Sequence, residues 1–256
     1  MIDSLTTIYR NPEHVKSLLK RGIGNPRQVL PYVLSQGLPN SRWGPEWRKQ
    51  NGVITCVDGG FAGGSPTRPE LSARLYYEVN QLQSALDTAQ YDRSLEIGCG
   101  YGRLSGWISQ HAETNAAIEP NRDAITEAHR HYPHIDFQCA RVEQLPYESD
   151  TFDLIVSCMV LSHVPSTAIE DAIAELKRVA APSCTVLLWE RTRGEPGQAS
   201  WPRSSNEYEE LFEPFTLVTH EQRKAEPTWE YVTNIDMMLL TAEDSGKRAE
   251  SQTVLE

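Results

Sequence analysis

Lysine is scarce in this 256-residue chain, with six residues against eighteen arginines, and 35 acids outweigh all 24 cations to leave a net charge of −11. Such acidity opposes the phosphate neutralisation on which nucleic-acid binding rests, so a nucleic-acid partner is not expected. Long apolar runs are missing too: none approaches the roughly 18–20 residues that span a bilayer. The opening Met1-Ile2-Asp3-Ser4-Leu5 lacks the basic-then-apolar order of a secretory signal, and a cytoplasmic protein is expected. The five cysteines, at positions 56, 99, 139, 158 and 184, are odd in number and form no C-x-x-C pair. That argues against a zinc cage or a disulfide framework. Cys139, Cys158 and Cys184 fall in apolar stretches and read as small buried residues of strands. His129, His131 and His134 fall at a helix end and the turn beyond it, which suits a solvated cluster, and no metal is expected.

The charge is unevenly spread. Residues 10–49 carry +6, leaving −17 for the remainder. Two short amphipathic stretches, 12–21 and 26–35, are divided by Gly22, Gly24 and Pro26, and Trp43 and Trp47 sit among Arg42, Arg48 and Lys49. Residues 1–66 therefore read as a basic, Gly/Pro-rich N-terminal helical arm. It suits an anionic partner, a membrane surface or a sugar, or simple docking on the acidic body. Residues 69–86 carry Leu71, Leu75, Val79, Leu82 and Leu86 at helical spacing. Beyond Ala242 the composition turns polar, and 242–256 reads as a disordered tail.

Between these ends the pattern alternates. Strands are expected near 93–97, 114–119, 135–139, 152–158 and 183–190, and helices near 102–111, 121–132 and 166–181. A further helix, 204–212, precedes strands at 215–219 and 232–240. The alternation implies an α/β fold, a parallel sheet with helices on both faces.

The chemistry concentrates in Ser94-Leu95-Glu96-Ile97-Gly98-Cys99-Gly100-Tyr101-Gly102-Arg103. An acid closes a short apolar strand, and glycines at alternate positions let a ligand approach the backbone. The carboxylate would repel a pyrophosphate but suits a cationic amine, and the third glycine comes one residue early for the dinucleotide fingerprint. Twenty-one residues after Gly98, Glu119 closes a second apolar strand, where a carboxylate can meet two ribose hydroxyls. Then follow Glu143-Gln144-Leu145-Pro146-Tyr147, Phe152-Asp153-Leu154-Ile155 and Leu161-Ser162-His163-Val164.

In these four ordered motifs the chain resembles the class I S-adenosylmethionine-dependent methyltransferases, in their small-molecule, type 11-like branch. The resemblance implies a Rossmann-like seven-stranded, mostly parallel sheet with the last strand antiparallel, occupying 67–241, and S-adenosyl-L-methionine as cofactor. By position it gives Glu96, Gly98, Cys99, Gly100 and Gly102 to the methionine part, Glu119 to the ribose diol and Pro120 to the adenine. A helix before the first strand covers the cofactor in the family, making Arg68, Arg74, Tyr76 and Tyr77 candidates for its carboxylate. Where the family has Gly-Asp-Ala-Glu, this chain reads Ala140-Arg141-Val142-Glu143. Arg141 thus replaces the acid that accepts the adenine amino hydrogen, leaving the backbone of Arg141 and Val142, beside Glu143, to frame the ring.

Ligands of such sheets lie at the carboxyl ends of strands, which brings in Cys158 as a further cofactor-binding candidate, and also His163, Glu190, Arg191 and Arg193. His163 is the candidate base for a hydroxyl acceptor, or an ordering residue of its turn. Glu190, Arg191 and Arg193 are candidates to bind substrate, the arginines by docking an anion. The expected activity is O-methylation of an anionic small molecule or glycan, such as a uronic acid of a lipid-linked or cell-surface glycan. Peripheral contact with the inner membrane face through the arm would accompany it. A quinone or isoprenoid-lipid methyltransferase, a transfer-RNA modifying enzyme, a non-catalytic cofactor-binding scaffold and a dehydrogenase are the alternatives.

Overall fold

The computed structural model describes residues 78–86, 89–194, 200–222 and 235–242. The expectations for the arm (1–66), for Arg68, Arg74, Tyr76 and Tyr77, for Cys56 and for the tail beyond 242 lie outside the described residues. Residues 90–225 with 232–256 form one compact unit, and the helical segment 78–86 belongs to another. Within that segment Val79, Leu82 and Leu86 are buried, as their three- and four-residue spacing implies.

The larger unit is a seven-stranded sheet in the order β3-β2-β1-β4-β5-β7-β6. Its strands are β1 (Tyr91–Ile97), β2 (Ala112–Ile118), β3 (Asp136–Gln138), β4 (Phe152–Cys158), β5 (Ala180–Arg191), β6 (Thr216–Gln222) and β7 (Ile235–Thr241). The first five run parallel, while β7 is antiparallel to both β5 and β6. The expected final hairpin is present, with β7 inserted beside β5 so that β6 is the edge strand. Four α-helices follow the strands: α1 (Ser105–Ile108), α2 (Arg122–His131), α3 (Ile169–Val179) and α4 (Ser205–Phe212).

The two faces of the sheet can be read from β2. Ala116 and Ile118 join the large core with Ile173 and Leu176 of α3 and Tyr208 and Phe212 of α4. Ala117, pointing the other way, joins Ala128 of α2, Ile135 and Phe137. Helices therefore cover both faces, and the central strands are buried on both sides.

Local chemistry explains the boundaries. Asn121 caps α2 by accepting from Asp123 and Ala124 N–H, and Ser204 with Glu207 forms a reciprocal capping box on α4. The helix expected over 102–111 shrinks to the four residues of α1. Gly102 sits at φ +86°, outside helical space, and the helix is over by Ser109. Gly106 stays glycine-sized because a Cβ there would lie 2.3 Å from the Tyr132 ring. Cys158 and Cys184 are buried as expected; Cys139 is not, because it lies just beyond the short β3 and is exposed. His129, His131 and His134 are exposed at the end of α2, with His131 3.2 Å from Glu127.

Candidate active site

The sheet order reverses between β1 and β4, and the carboxyl ends of these strands define a crevice. Three sets of residues meet at this edge.

The first set closes β1 and β2. Glu96 and Glu119 are both about 5% exposed. Glu96 accepts a hydrogen bond from the Ser105 hydroxyl. Burial pushes its carboxyl up to about 7, Ser105 opposes that rise, and the charge of Glu119 adds to it. Glu119 is also raised by burial, partly offset by two backbone donors, Asn121 N–H at 3.0 Å and Gly100 N–H at 3.2 Å. The loop between them needs its glycines for different reasons. Gly98 and Gly100 have φ of +65° and +57°. A Cβ on Gly98 would lie 2.4 Å from Val160 Cγ2, so this backbone is packed against the loop after β4. A Cβ on Gly100 would meet nothing among the described residues within 4 Å, leaving the space before its backbone open to a ligand. Gly102 packs against Tyr132 and Ala128, which is a structural duty. Cys99 is buried, its thiol pushed up by burial and then by Glu96 and Glu119.

Beside this cradle lie the expected adenine residues. The Cys139 thiol reaches the Pro120 carbonyl at 3.6 Å, tying the end of β3 to the end of β2. Arg141 is exposed and donates to Glu143 at 2.8 Å, and Val142 is buried in the large core. Only the backbone of Val142 is therefore left to face a ligand. Arg178 donates to the Leu145 and Tyr147 carbonyls, and Glu175 accepts from Leu145 N–H, fixing the following turn.

The second set follows β4. Cys158 is buried at the strand end. Met159 then adopts φ +59°, unusual for a residue with a side chain, with its N–H on the Trp189 carbonyl at 2.7 Å. Leu161–His163 form a single 3₁₀ turn on which His163 is half-buried. Glu190 lies at the end of β5 and is turned inward. It is fully buried, and one carboxylate oxygen accepts from the Ser157 hydroxyl at 2.7 Å and from Val160 and Leu161 N–H at 3.1 Å. The other accepts from Ser162 N–H at 3.0 Å. Four donors meet it, and through them it holds the turn.

The third set ends β5. Arg193 donates to Asp236 at 2.6 Å, and the other oxygen of Asp236 meets His220 Nε2 at 2.8 Å. Its charge is thus balanced by a buried carboxylate. Arg191 differs: its guanidinium bonds the neutral oxygens of Arg193 (carbonyl, 3.3 Å) and Ser200 (hydroxyl, 3.1 Å). No carboxylate pairs with it among the described residues. Sequence reasoning gave no individual role to Arg203, Asp236 or His220. Among the described residues no group of acids, histidines and cysteines could hold a metal ion, and no helix is long and apolar enough to cross a membrane.

Residues 95–188, from β1 through β5, match a family model described as a methyltransferase domain. Over 75 residues the chain is 31% identical to a ubiquinone biosynthesis O-methyltransferase of Coxiella burnetii, a match covering 28% of this chain and 32% of that one. The chain thus spans about a third of that relative's length. A malonyl-[acyl-carrier protein] O-methyltransferase of Salmonella typhimurium is 23% identical over 172 residues, 66% of each chain. Among solved structures, the N-methyltransferase NodS of Bradyrhizobium japonicum WM9, in complex with S-adenosyl-L-homocysteine, superposes with a TM-score of 0.56. The identity there is 18%, over 68% of this chain and 88% of that one, a likeness of fold. The strand order and the matched segment agree: residues 95–188 resemble a methyltransferase domain, and the sheet shares the fold of a solved S-adenosylhomocysteine-bound methyltransferase.

Proposed function

We propose that the protein is an S-adenosylmethionine-dependent methyltransferase acting on an oxygen of a small anionic acceptor. The observation that carries the cofactor reading is the acidic cradle, in which buried Glu96 and Glu119 flank a glycine that no described residue covers. Two carboxylates short of donors suit a ligand that brings its own, the ammonium of a methionine moiety and a ribose diol. A pyrophosphate would meet only repulsion there, which disfavours the dehydrogenase alternative. When bound, the cofactor would supply a methyl group on a sulfonium, whose transfer to an acceptor oxygen releases a neutral thioether that needs no acid assistance to leave. The protein's work is then to orient the acceptor and exclude water.

Both relatives named above are O-methyltransferases, which supports an oxygen acceptor. Arg191, which pairs with no acid among the described residues, supports an anionic one, and a uronic-acid carboxylate of a glycan fits that charge. Such an acceptor is already ionised and needs no base. A second reading, a quinone-ring hydroxyl, is favoured by the quinone-pathway relative. There His163 is the group on the turn that would take the proton.

Calorimetric titration with S-adenosylhomocysteine tests the cofactor reading. The wild type should bind, and Glu119→Ala should weaken binding at least tenfold, about 1.4 kcal/mol. Absence of binding by the wild type would overturn the cofactor reading. Transfer of a labelled methyl group to glucuronic acid or to a hydroxylated quinone then decides between the acceptors.

A further inference from the structure

The geometry points to Glu190 and Arg203 as positioning residues that grip the Val160–Val164 turn from opposite ends and, through Val160, brace the glycine loop of the cofactor cradle. The inference rests on the cofactor reading above and adds two residues that touch neither cofactor nor acceptor.

Glu190 collects the N–H groups at the start of the turn, those of Val160, Leu161 and Ser162. Arg203 collects two carbonyls of the turn, Nη1 donating to Leu161 at 2.9 Å and Nη2 to Val164 at 2.8 Å, while Nη1 also donates to Trp201 outside it at 3.1 Å. The Trp201 N–H adds a bond to the Ser162 carbonyl at 2.7 Å. A negative group on the donor end and a positive group on the acceptor end match the dipole of a helical turn. Both charged side chains are buried, Arg203 at 6% exposed. A three-residue 3₁₀ turn entered through a left-handed Met159 could not hold this shape by its own hydrogen bonds.

The consequence reaches across the crevice. Val160 follows Met159 directly, and its methyl group occupies the place where a Cβ on Gly98 would sit. Loosening the grip frees Val160, and the loop at Gly98 loses its support. Glu190 should therefore influence cofactor affinity from a position where it cannot touch the cofactor.

The test is a double-mutant cycle read by S-adenosylhomocysteine titration on the folded full-length chain. Glu190→Gln should weaken binding about tenfold, since an amide cannot accept from all four donors. Once Val160→Ala is present, Glu190→Gln should add little, because both act through one path. Affinity within twofold of wild type for folded Glu190→Gln, or fully additive losses, would overturn the inference. If Glu190→Gln fails to fold, Arg203→Lys replaces it in the cycle with the same expectations. Amide exchange of the wild type is an independent reading: Val160, Leu161 and Ser162 N–H should exchange only through global unfolding, and fast local exchange would refute the grip. If the wild type does not bind the homocysteine derivative, the cofactor reading fails by itself, and amide exchange alone decides the grip.

Discussion

Two regions of the same sheet edge each bury glutamate, and they treat it in opposite ways. At the ends of β1 and β2, Glu96 receives one hydroxyl and Glu119 two backbone N–H groups. At the end of β5, Glu190 receives a hydroxyl and three backbone N–H groups. The carboxylates of the first region are pushed up by burial, because desolvation outweighs the few donors they have. A buried carboxylate is free to serve a ligand only where the fold has withheld donors from it. Where the fold supplies a full set, the same side chain becomes part of the scaffold.

The largest break in this contrast should come from alanine at each site, measured by urea unfolding of the ligand-free protein. Glu190→Ala strands three buried N–H groups and the Ser157 hydroxyl, and removes the counter-charge of the turn. A loss of about 3–5 kcal/mol is expected, the range for breaking a buried charge network. Glu119→Ala should cost less than about 1 kcal/mol, since it also relieves a desolvated charge. Equal losses would mean that donor number does not separate the two regions.

The sequence made the first region legible and hid the second for one physical reason, the range of the interactions. Glu96, the glycines and Glu119 belong to strand–loop segments whose spacing expresses the chemistry locally. Five strands and the cradle could be placed on that basis. The partners of Glu190 lie about thirty residues upstream at 157–162, and Arg203 reaches back some forty residues to carbonyls, which leave no side-chain pattern to read. Glu190 and Arg193 are candidates for substrate by position alone. Only tertiary packing reveals the four donors and the Asp236 carboxylate that meet them. The short α1 was hidden similarly, since the ring against which the positive-φ Gly102 packs comes from Tyr132.

The next effect sharpens the comparison through pH. Glu96 is held at about 7, above the ordinary 4.5. A carboxyl raised by folding contributes stability in its protonated form, fully present below about 4.5 and lost as the pH rises through about 7. A cationic ligand selects the ionised form, so affinity runs the other way. Binding of S-adenosylhomocysteine should weaken as the pH falls below 7, by up to tenfold per unit. In Glu96→Gln that dependence should vanish from calorimetric titrations between pH 5.5 and 8.5, with weaker binding throughout. A pH slope surviving in the variant would transfer the linkage to another group and remove Glu96 from the cationic subsite.

The smallest expected change concerns the single donor that Glu96 does have. Ser105, on the first turn of α1, lowers the Glu96 carboxyl against the pull of burial. Ser105→Ala takes that donor away without touching the cradle's glycines or Glu119. The midpoint of the affinity profile should move alkaline by about one unit, roughly 1.4 kcal/mol, within the range for a hydrogen bond to a charged group. Affinity at pH 8.5 or above should change little, because ligand charge and high pH together keep Glu96 ionised. A uniform loss at every pH would instead mean that the hydroxyl shapes the loop rather than tuning the acid. The first region would then depend on scaffold bonds in the same way as the second.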